Sequence, residues 1–208
     1  MINNYDRIAK YYDFLSRLVF GKSQGKAQIN QLRYITPNSR LLIVGGGTGW
    51  ILEEIAKRQQ SGLKITYVEI SSKMIALSKA RNCGDNDVVF VHSGVEEFSA
   101  DGYFDVIMTP FLFDNFSPER CSEVFRKLNS AIKDNGLWLM VDFVTQSTNG
   151  KWWQQFFLKT MYTFFSVISN VEAKKLVDMN PYFENHQYEI IEQRFYYGHF
   201  IAATVYKK

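Results

Sequence analysis

The residues Arg40-Leu41-Leu42-Ile43-Val44 make an apolar strand that runs straight into Gly45-Gly46-Gly47-Thr48-Gly49 and then into a helical pattern beginning near Trp50. A strand, a glycine turn and a helix in that order constrain the fold more than any other stretch, because they open a βαβ unit. Glycine has no Cβ, so it reaches positive φ without strain and lets a ligand lie against bare main chain. The turn therefore reads as the cradle of an adenosine-containing ligand.

Spacing narrows the ligand. A dinucleotide fingerprint needs Gly-x-Gly-x-x-Gly, with the third glycine admitting the pyrophosphate and the packing of helix on strand. Counted from Gly45 and Gly47 that third position is Trp50, and counted from Gly47 and Gly49 it is Leu52. Either bulky side chain disfavours a dinucleotide. No Gly-Lys-Ser/Thr follows, which excludes a phosphate loop. What remains is Gly-x-Gly-x-Gly after a buried strand.

Further apolar, β-rich runs occur at 65–68, 88–91, 106–108 and 137–141, each too continuous for a strand with one wet face. Segments of helical period separate them: Ile51, Leu52 and Ile55; Met74, Leu77 and Ala80; Cys121, Val124, Phe125, Leu128 and Ile132. The last has Ser117 as N-cap, Pro118 at the first helical position and Asn135-Gly136 as an expected stop, and Ser71 is positioned to cap the second. Two final strands, about 188–196 and 199–206, are joined by a tight turn at Gly198 and read as an antiparallel hairpin. At 208 residues and 46% hydrophobic the chain suffices for one full-sized core without disulfides.

The glycine turn, the alternation and the closing hairpin together resemble the class I S-adenosylmethionine-dependent methyltransferases. The resemblance implies an α/β, Rossmann-like fold with a mostly parallel seven-stranded sheet, an antiparallel C-terminal hairpin and helices on both faces. It divides one domain into an N-terminal helical cap (1–39), a cofactor core (40–145), a helical substrate-cap insert (146–186) and the hairpin (187–208). It implies S-adenosylmethionine as cofactor, held by Gly45, Gly46, Gly47, Thr48 and Gly49. Glu69 ends the second strand 24 residues beyond Gly45, where a carboxylate accepts hydrogen bonds from both ribose hydroxyls. Ile70 and Met74 would flank the adenine, with Ser93, Gly94, Val95 and Thr109 completing the cofactor set. Two positions depart from the family pattern: Ile43 stands where an acidic residue is usual two places before the first glycine, and Gly94 stands where Asp often bonds the adenine.

The N-terminus, Tyr5-Asp6-Arg7-Ile8-Ala9-Lys10-Tyr11-Tyr12-Asp13 with Phe20-Gly21, is similar to the opening of the ubiquinone and menaquinone biosynthesis C-methyltransferases and of bacterial phosphatidylethanolamine N-methyltransferases. That similarity puts Tyr11, or alternatively Tyr12, at the methionine end, where an aromatic face favours a sulfonium. Residues 1–40 carry seven basic side chains against Asp6 and Asp13, a surplus of five. Such a surplus steers an anionic substrate, or gives peripheral contact with an anionic membrane surface. The basic residues are dispersed and no recognition motif is present, which excludes nucleic acid. Met1 to Phe20 is interrupted by charge and does not read as a signal peptide, and two isolated cysteines, Cys83 and Cys121, suit a reducing cytoplasm without any metal spacing.

Methyl transfer requires the chain to orient a nucleophile, exclude water and, for some acceptors, remove a proton. Asp114, after the fourth strand, and Asp142, closing the fifth, are the candidate catalytic carboxylates, and His186 is the one histidine singled out for a catalytic test. The aromatic run 152–168 contains Gln154, Gln155 and Lys159 and falls short of the ~20 apolar residues of a membrane span, so a helix buried or lying on a surface is expected. Apolar residues surround most of that helix, which either packs twice over or lines a greasy cavity for an apolar small-molecule acceptor: a quinone precursor, a lipid or an aromatic metabolite. A non-catalytic module that binds S-adenosylmethionine or its product is the alternative, motivated by Ile43 and Gly94.

Overall fold

The computed structural model describes Asp6, residues 9–144 and residues 176–208. Seven strands form one sheet: β1 (Arg40–Val44), β2 (Ser61–Glu69), β3 (Asp85–His92), β4 (Phe104–Pro110), β5 (Ile132–Phe143), β6 (Glu189–Tyr196) and β7 (Ile201–Lys207). Their order is β3-β2-β1-β4-β5-β7-β6. The first five pair parallel, while β7 runs antiparallel to both β5 and β6. The hairpin turn uses three successive residues with positive φ, Tyr197, Gly198 and His199.

Alternation along β1 shows why the run is apolar throughout. Leu41 and Ile43 join one core and Leu42 and Val44 the other, so both faces of the strand are covered. Helix α3 (Trp50–Arg58) places Ile51, Leu52 and Ile55 in the first core, where each buried side chain contributes about 1.5–3 kcal/mol. Helix α4 (Ser72–Lys79) adds Ile75 to the same side. Helices α5 (Pro118–Ala131) and α6 (Asn180–Asn185) cover the opposite face, with Phe125 stacked on Trp138 at a centroid distance of 5.2 Å. Near the N-terminus, α1 (Tyr12–Phe20) and α2 (Ser23–Gln31) precede β1, and α2 packs chiefly on β7.

Both expected caps form: Ser71 accepts a hydrogen bond from the Met74 amide and Ser117 from the Arg120 amide. The expected stop at Asn135-Gly136 does not end a helix. Helix α5 closes at Ala131 and Ile132 is already extended, paired with Phe104. Asn135 has φ 62° and Gly136 leaves no room for a Cβ beside Ile132, so the dipeptide makes a kink inside β5. Pairing slips there, from Phe104 with Ile132 to Val106 with Leu137. The 152–168 run, and with it most of the expected insert, lies outside the described residues. No described helix is long and apolar enough to cross a membrane.

The sheet order reverses direction between β1 and β4. In open α/β sheets the crevice beyond the carboxyl ends of the strands at such a switch point binds ligands.

Candidate cofactor and acceptor site

The glycine turn after β1 sits in that crevice. Gly45, Gly47 and Gly49 have φ of 70°, 64° and 76°, a conformation that side-chain-bearing residues rarely adopt. A Cβ on Gly46 would come within 2.5 Å of the Tyr67 hydroxyl, and that hydroxyl donates to the Gly47 carbonyl at 2.9 Å. The Gly47 amide donates to Glu69 Oε2 at 3.1 Å, and the Ser71 amide to Glu69 Oε1 at 2.9 Å. Strand β2 thus grips the turn at Gly47, Glu69 taking its amide and Tyr67 its carbonyl. Burial raises the Glu69 pKa, against the lowering effect of these amide donors.

Around the turn lies a cavity of about 660 Å³, a volume in the range of small-molecule sites. Gly45, Gly46, Gly47 and Thr48 form one wall. Glu69, Ile70 and Met74 form the next, followed by Ser93, Gly94 and Val95 at the end of β3. Ser93 Oγ is buried without a hydrogen-bond partner among the described residues. A bare-glycine cradle, a carboxylate at the adjoining strand end and an orphaned hydroxyl fit the tail, ribose and adenine of S-adenosylmethionine in turn.

Three expected residues stand elsewhere. Gly49 caps α3 behind the turn, where a Cβ would meet Ser78 Cβ at 2.5 Å. Thr109 is fully buried and accepts from Trp138 Nε1 at 2.9 Å, off the cavity wall. Tyr11 is 60% exposed, with the Lys10 ammonium 6.0 Å from its ring centroid, and Tyr12 lines the cavity in its place. One residue of helical rotation separates the two, and Tyr12 shares its face with Ser16 one turn on. Ile43 is packed in the core, so no carboxylate lies at that position.

A carboxylate reaches the turn from the cap instead. Asp13 on α1 accepts from Thr48 Oγ1 at 2.8 Å on both oxygens and from Arg81 at 3.1 Å. Arg81 also donates to the Thr48 carbonyl at 3.0 Å and pairs with Glu53 on α3. Asp6 accepts from Ser71 Oγ at 2.5 Å and from the Lys73 amide at 3.1 Å at the start of α4. None of these links is readable locally, since their partners lie 28 to 68 residues apart.

Asp114 and Asp142 come together behind the wall formed by Phe111 and Leu112. Asp142 is 3% exposed and accepts from the amides of Phe113 at 3.1 Å and Phe143 at 2.9 Å. Asp114 accepts from Asn115 Nδ2 at 2.6 Å. Burial raises both pKa values, and the Asp142 charge pushes Asp114 well above the usual carboxylate range. Two neighbouring buried carboxyls cannot both ionise at little cost, so the pair keeps a proton, with the charge favoured on the amide-bonded Asp142. Burial and the adjacent Asp114, Asp13 and Glu69 also raise the pKa of Tyr12.

The histidines lie elsewhere. His186 rests on the Phe125 ring at 5.0 Å with Nδ1 against the Tyr182 carbonyl, His92 contacts the Ile70 carbonyl, and His199 stacks on Phe195. Among the described residues no cluster of His, Cys, Asp and Glu has the makings of a metal site.

Residues 41–136 match the family described as methyltransferase domain. The ubiquinone/menaquinone biosynthesis C-methyltransferase UbiE of Geotalea daltonii is 30% identical over 148 residues, covering 68% of this chain and 62% of its own. The chain therefore spans less than two thirds of that relative's length. Among solved structures, the putative methyltransferase complexed with the Trm112 activator of Haloferax volcanii is 12% identical with TM-score 0.72, covering 100% of this chain and 98% of its own. Magnesium protoporphyrin IX methyltransferase from Synechocystis, solved with S-adenosylhomocysteine, is 13% identical with TM-score 0.66, covering 89% and 83%. At such identity these two speak for the fold alone. With the family match running from β1 through the glycine turn to β5, and a methyltransferase 30% identical over 68% of the chain, the chain belongs to the class I S-adenosylmethionine-dependent methyltransferases.

Proposed function

We propose that this chain transfers a methyl group from S-adenosylmethionine to a small hydrophobic acceptor of the class of quinone precursors, lipids or aromatic metabolites. One observation carries the reading: a single cavity joins the glycine turn and Glu69 to an apolar wall of Pro110, Phe111, Leu112 and Phe116. Phe111 holds φ 51° there, with its amide on the Val141 carbonyl and its ring 4.9 Å from Phe143. A bulky side chain kept in the left-handed region beside a cavity marks a surface shaped for a ligand. The similarity to a C-methyltransferase of quinone biosynthesis supports the same acceptor class.

When bound, S-adenosylmethionine supplies the activated methyl group. In this reading Glu69 accepts the ribose hydroxyls, Ser93 Oγ and the main chain of Gly94 and Val95 meet the base, and Gly45 to Thr48 line the amino-acid tail. Tyr12 presents an aromatic surface worth about 0.5–2 kcal/mol to a neighbouring positive charge. Asp114 and Asp142, the candidate catalytic carboxylates, do not line the cavity; in this reading they act from behind the acceptor wall, Asp142 holding the segment that carries Phe111 and Phe116 through the Phe113 amide. Residues 1–39 serve as the cap over the cofactor and residues 146–186 as the acceptor cap. We place the reaction in the cytoplasm, a location supported by the free thiols of Cys83 and Cys121. The basic surplus of the cap supports peripheral contact with an anionic membrane.

The test is methyl incorporation from labelled S-adenosylmethionine into a panel of quinone precursors, lipid extracts and aromatic metabolites. Incorporation into an apolar member is the expected result. Tight cofactor binding with zero turnover throughout would favour the binding module, the reading that Ile43 and Gly94 motivate.

A further inference from the structure

Helix α2 turns one face to the cavity. Lys22, at its N-cap, and Gly25, Lys26 and Ile29 recur at intervals of three and four and all line that space. Packing is close here, since a Cβ on Gly25 would lie 3.9 Å from Trp50 Cη2. The side chain of Gln28 lines the same cavity.

The polar groups of this region fall into two sets. Each carboxylate on the cavity wall is already engaged: Glu69 by two amides, Asp13 by Thr48 and Arg81, and Glu54 by Lys57. Gln24 is likewise engaged, accepting from Ser16. By contrast, no described residue hydrogen-bonds or ion-pairs with the ammonium groups of Lys22 and Lys26, nor with the amide of Gln28, although Gln28 is only 6% exposed. The Gln28 amide borders the cavity with hydrogen-bonding capacity to spare, and two ammonium groups one helical turn apart repel each other. A ligand bearing oxygen anions answers both, accepting from the Gln28 amide while lying between the two charges.

We infer that the acceptor is an amphiphile whose carboxylate or phosphate is received by Lys22, Lys26 and Gln28 while its apolar body lies along Phe111 and Phe116. The inference deepens the methyl-transfer reading above and rests on it. The wall of Pro110, Phe111, Leu112 and Phe116 explains why the body is greasy, and the α2 face explains why one end is acidic. The carboxylate of the cofactor's own amino-acid tail is the competing occupant of the α2 face.

Calorimetry on the full chain distinguishes them. With S-adenosylhomocysteine saturating, octyl phosphate and octanoate should each bind at least about tenfold more tightly than octanol. The preference should vanish in Lys22→Ala/Lys26→Ala, weaken in Gln28→Ala and persist in Lys22→Arg/Lys26→Arg, with S-adenosylhomocysteine affinity unchanged in all three. Lys22 and Lys26 are exposed and their ammonium groups hydrogen-bond or ion-pair with no described residue, so the variants report on the site. Equal binding of the anions and octanol overturns the inference. So does a loss of S-adenosylhomocysteine affinity without loss of 5′-methylthioadenosine affinity, which would assign the lysines to the cofactor's tail. Weakened binding to phosphatidylglycerol vesicles with octyl phosphate binding intact overturns it in favour of a membrane surface. If the unaltered protein binds no S-adenosylhomocysteine, the methyl-transfer reading itself fails, and the inference with it.

Discussion

The Thr48 hydroxyl lies 2.8 Å from both carboxylate oxygens of Asp13, which ties the cofactor turn to the N-terminal cap. Arg81 completes the tie by donating to the same carboxylate and to the Thr48 carbonyl. The ion pair is partly solvated, so it contributes only about 1 kcal/mol to stability. Its larger effect is to hold Tyr12 over the cavity. Asp13→Ala is therefore expected to lower the melting temperature slightly while weakening S-adenosylhomocysteine binding about tenfold. Calorimetry beside a thermal melt checks this, and unchanged affinity would separate the cap from the cofactor.

Glu69 gives a sharper expectation. Charge-assisted hydrogen bonds contribute roughly 1.5–3 kcal/mol each, so Glu69→Ala should weaken S-adenosylhomocysteine by more than about tenfold. Glu69→Gln keeps an acceptor for the Gly47 amide and should fall between the two. A titration showing all three proteins alike would remove the ribose assignment.

Local patterns made much of this legible. The run from Arg40 to Gly49 and the caps at Ser71 and Ser117 depend on neighbours within a few residues, and Glu69 stands 24 residues beyond Gly45, so periodicity and spacing expose them. Asn135-Gly136 misled because positive φ at Asn suits a helix stop and a strand kink equally, and the pairing of Ile132 with Phe104 decides between them. The choice of Tyr12 over Tyr11 depends on which face α1 turns inward, which its own residues do not determine. Asp6, Asp13 and Arg81 matter through contacts made only after the chain has folded back on itself. In the sequence Lys22 and Lys26 are two of a dispersed basic surplus, and their convergence on one cavity is a tertiary fact.

The carboxylate pair predicts a pH dependence with a definite sign. Asp114 and Asp142 have folded pKa values raised above the unfolded value of about 3.9. Their contribution to stability is full below that value and is lost as pH rises through the folded pKa, which for Asp142 is about 7. Glu69 is shifted in the same direction, so the comparison must be with a variant. Asp114→Asn should raise stability near pH 8 relative to its effect near pH 5. Denaturant titrations at both values check it, and a pH-independent difference would contradict the pairing.

Two glycines separate backbone strain from collision. Gly49 and Gly102 have φ of 76° and 52°, but only at Gly49 would a Cβ meet a neighbour, Ser78 Cβ at 2.5 Å. Gly102→Ala should cost about 1–2 kcal/mol for the left-handed conformation alone. Gly49→Ala should cost about 1–3 kcal/mol more. Equal losses in a chemical melt would mean that α3 and α4 are not packed as closely as described.

The central claim is that the main chain of Gly45 to Thr48, with Glu69 beside it, holds the methyl donor. A crystal structure grown with S-adenosylhomocysteine tests this most directly. The account predicts the amino-acid tail against that turn and the ribose hydroxyls on the Glu69 carboxylate. An empty crevice, or a nucleoside bound with its ribose away from Glu69, would contradict it.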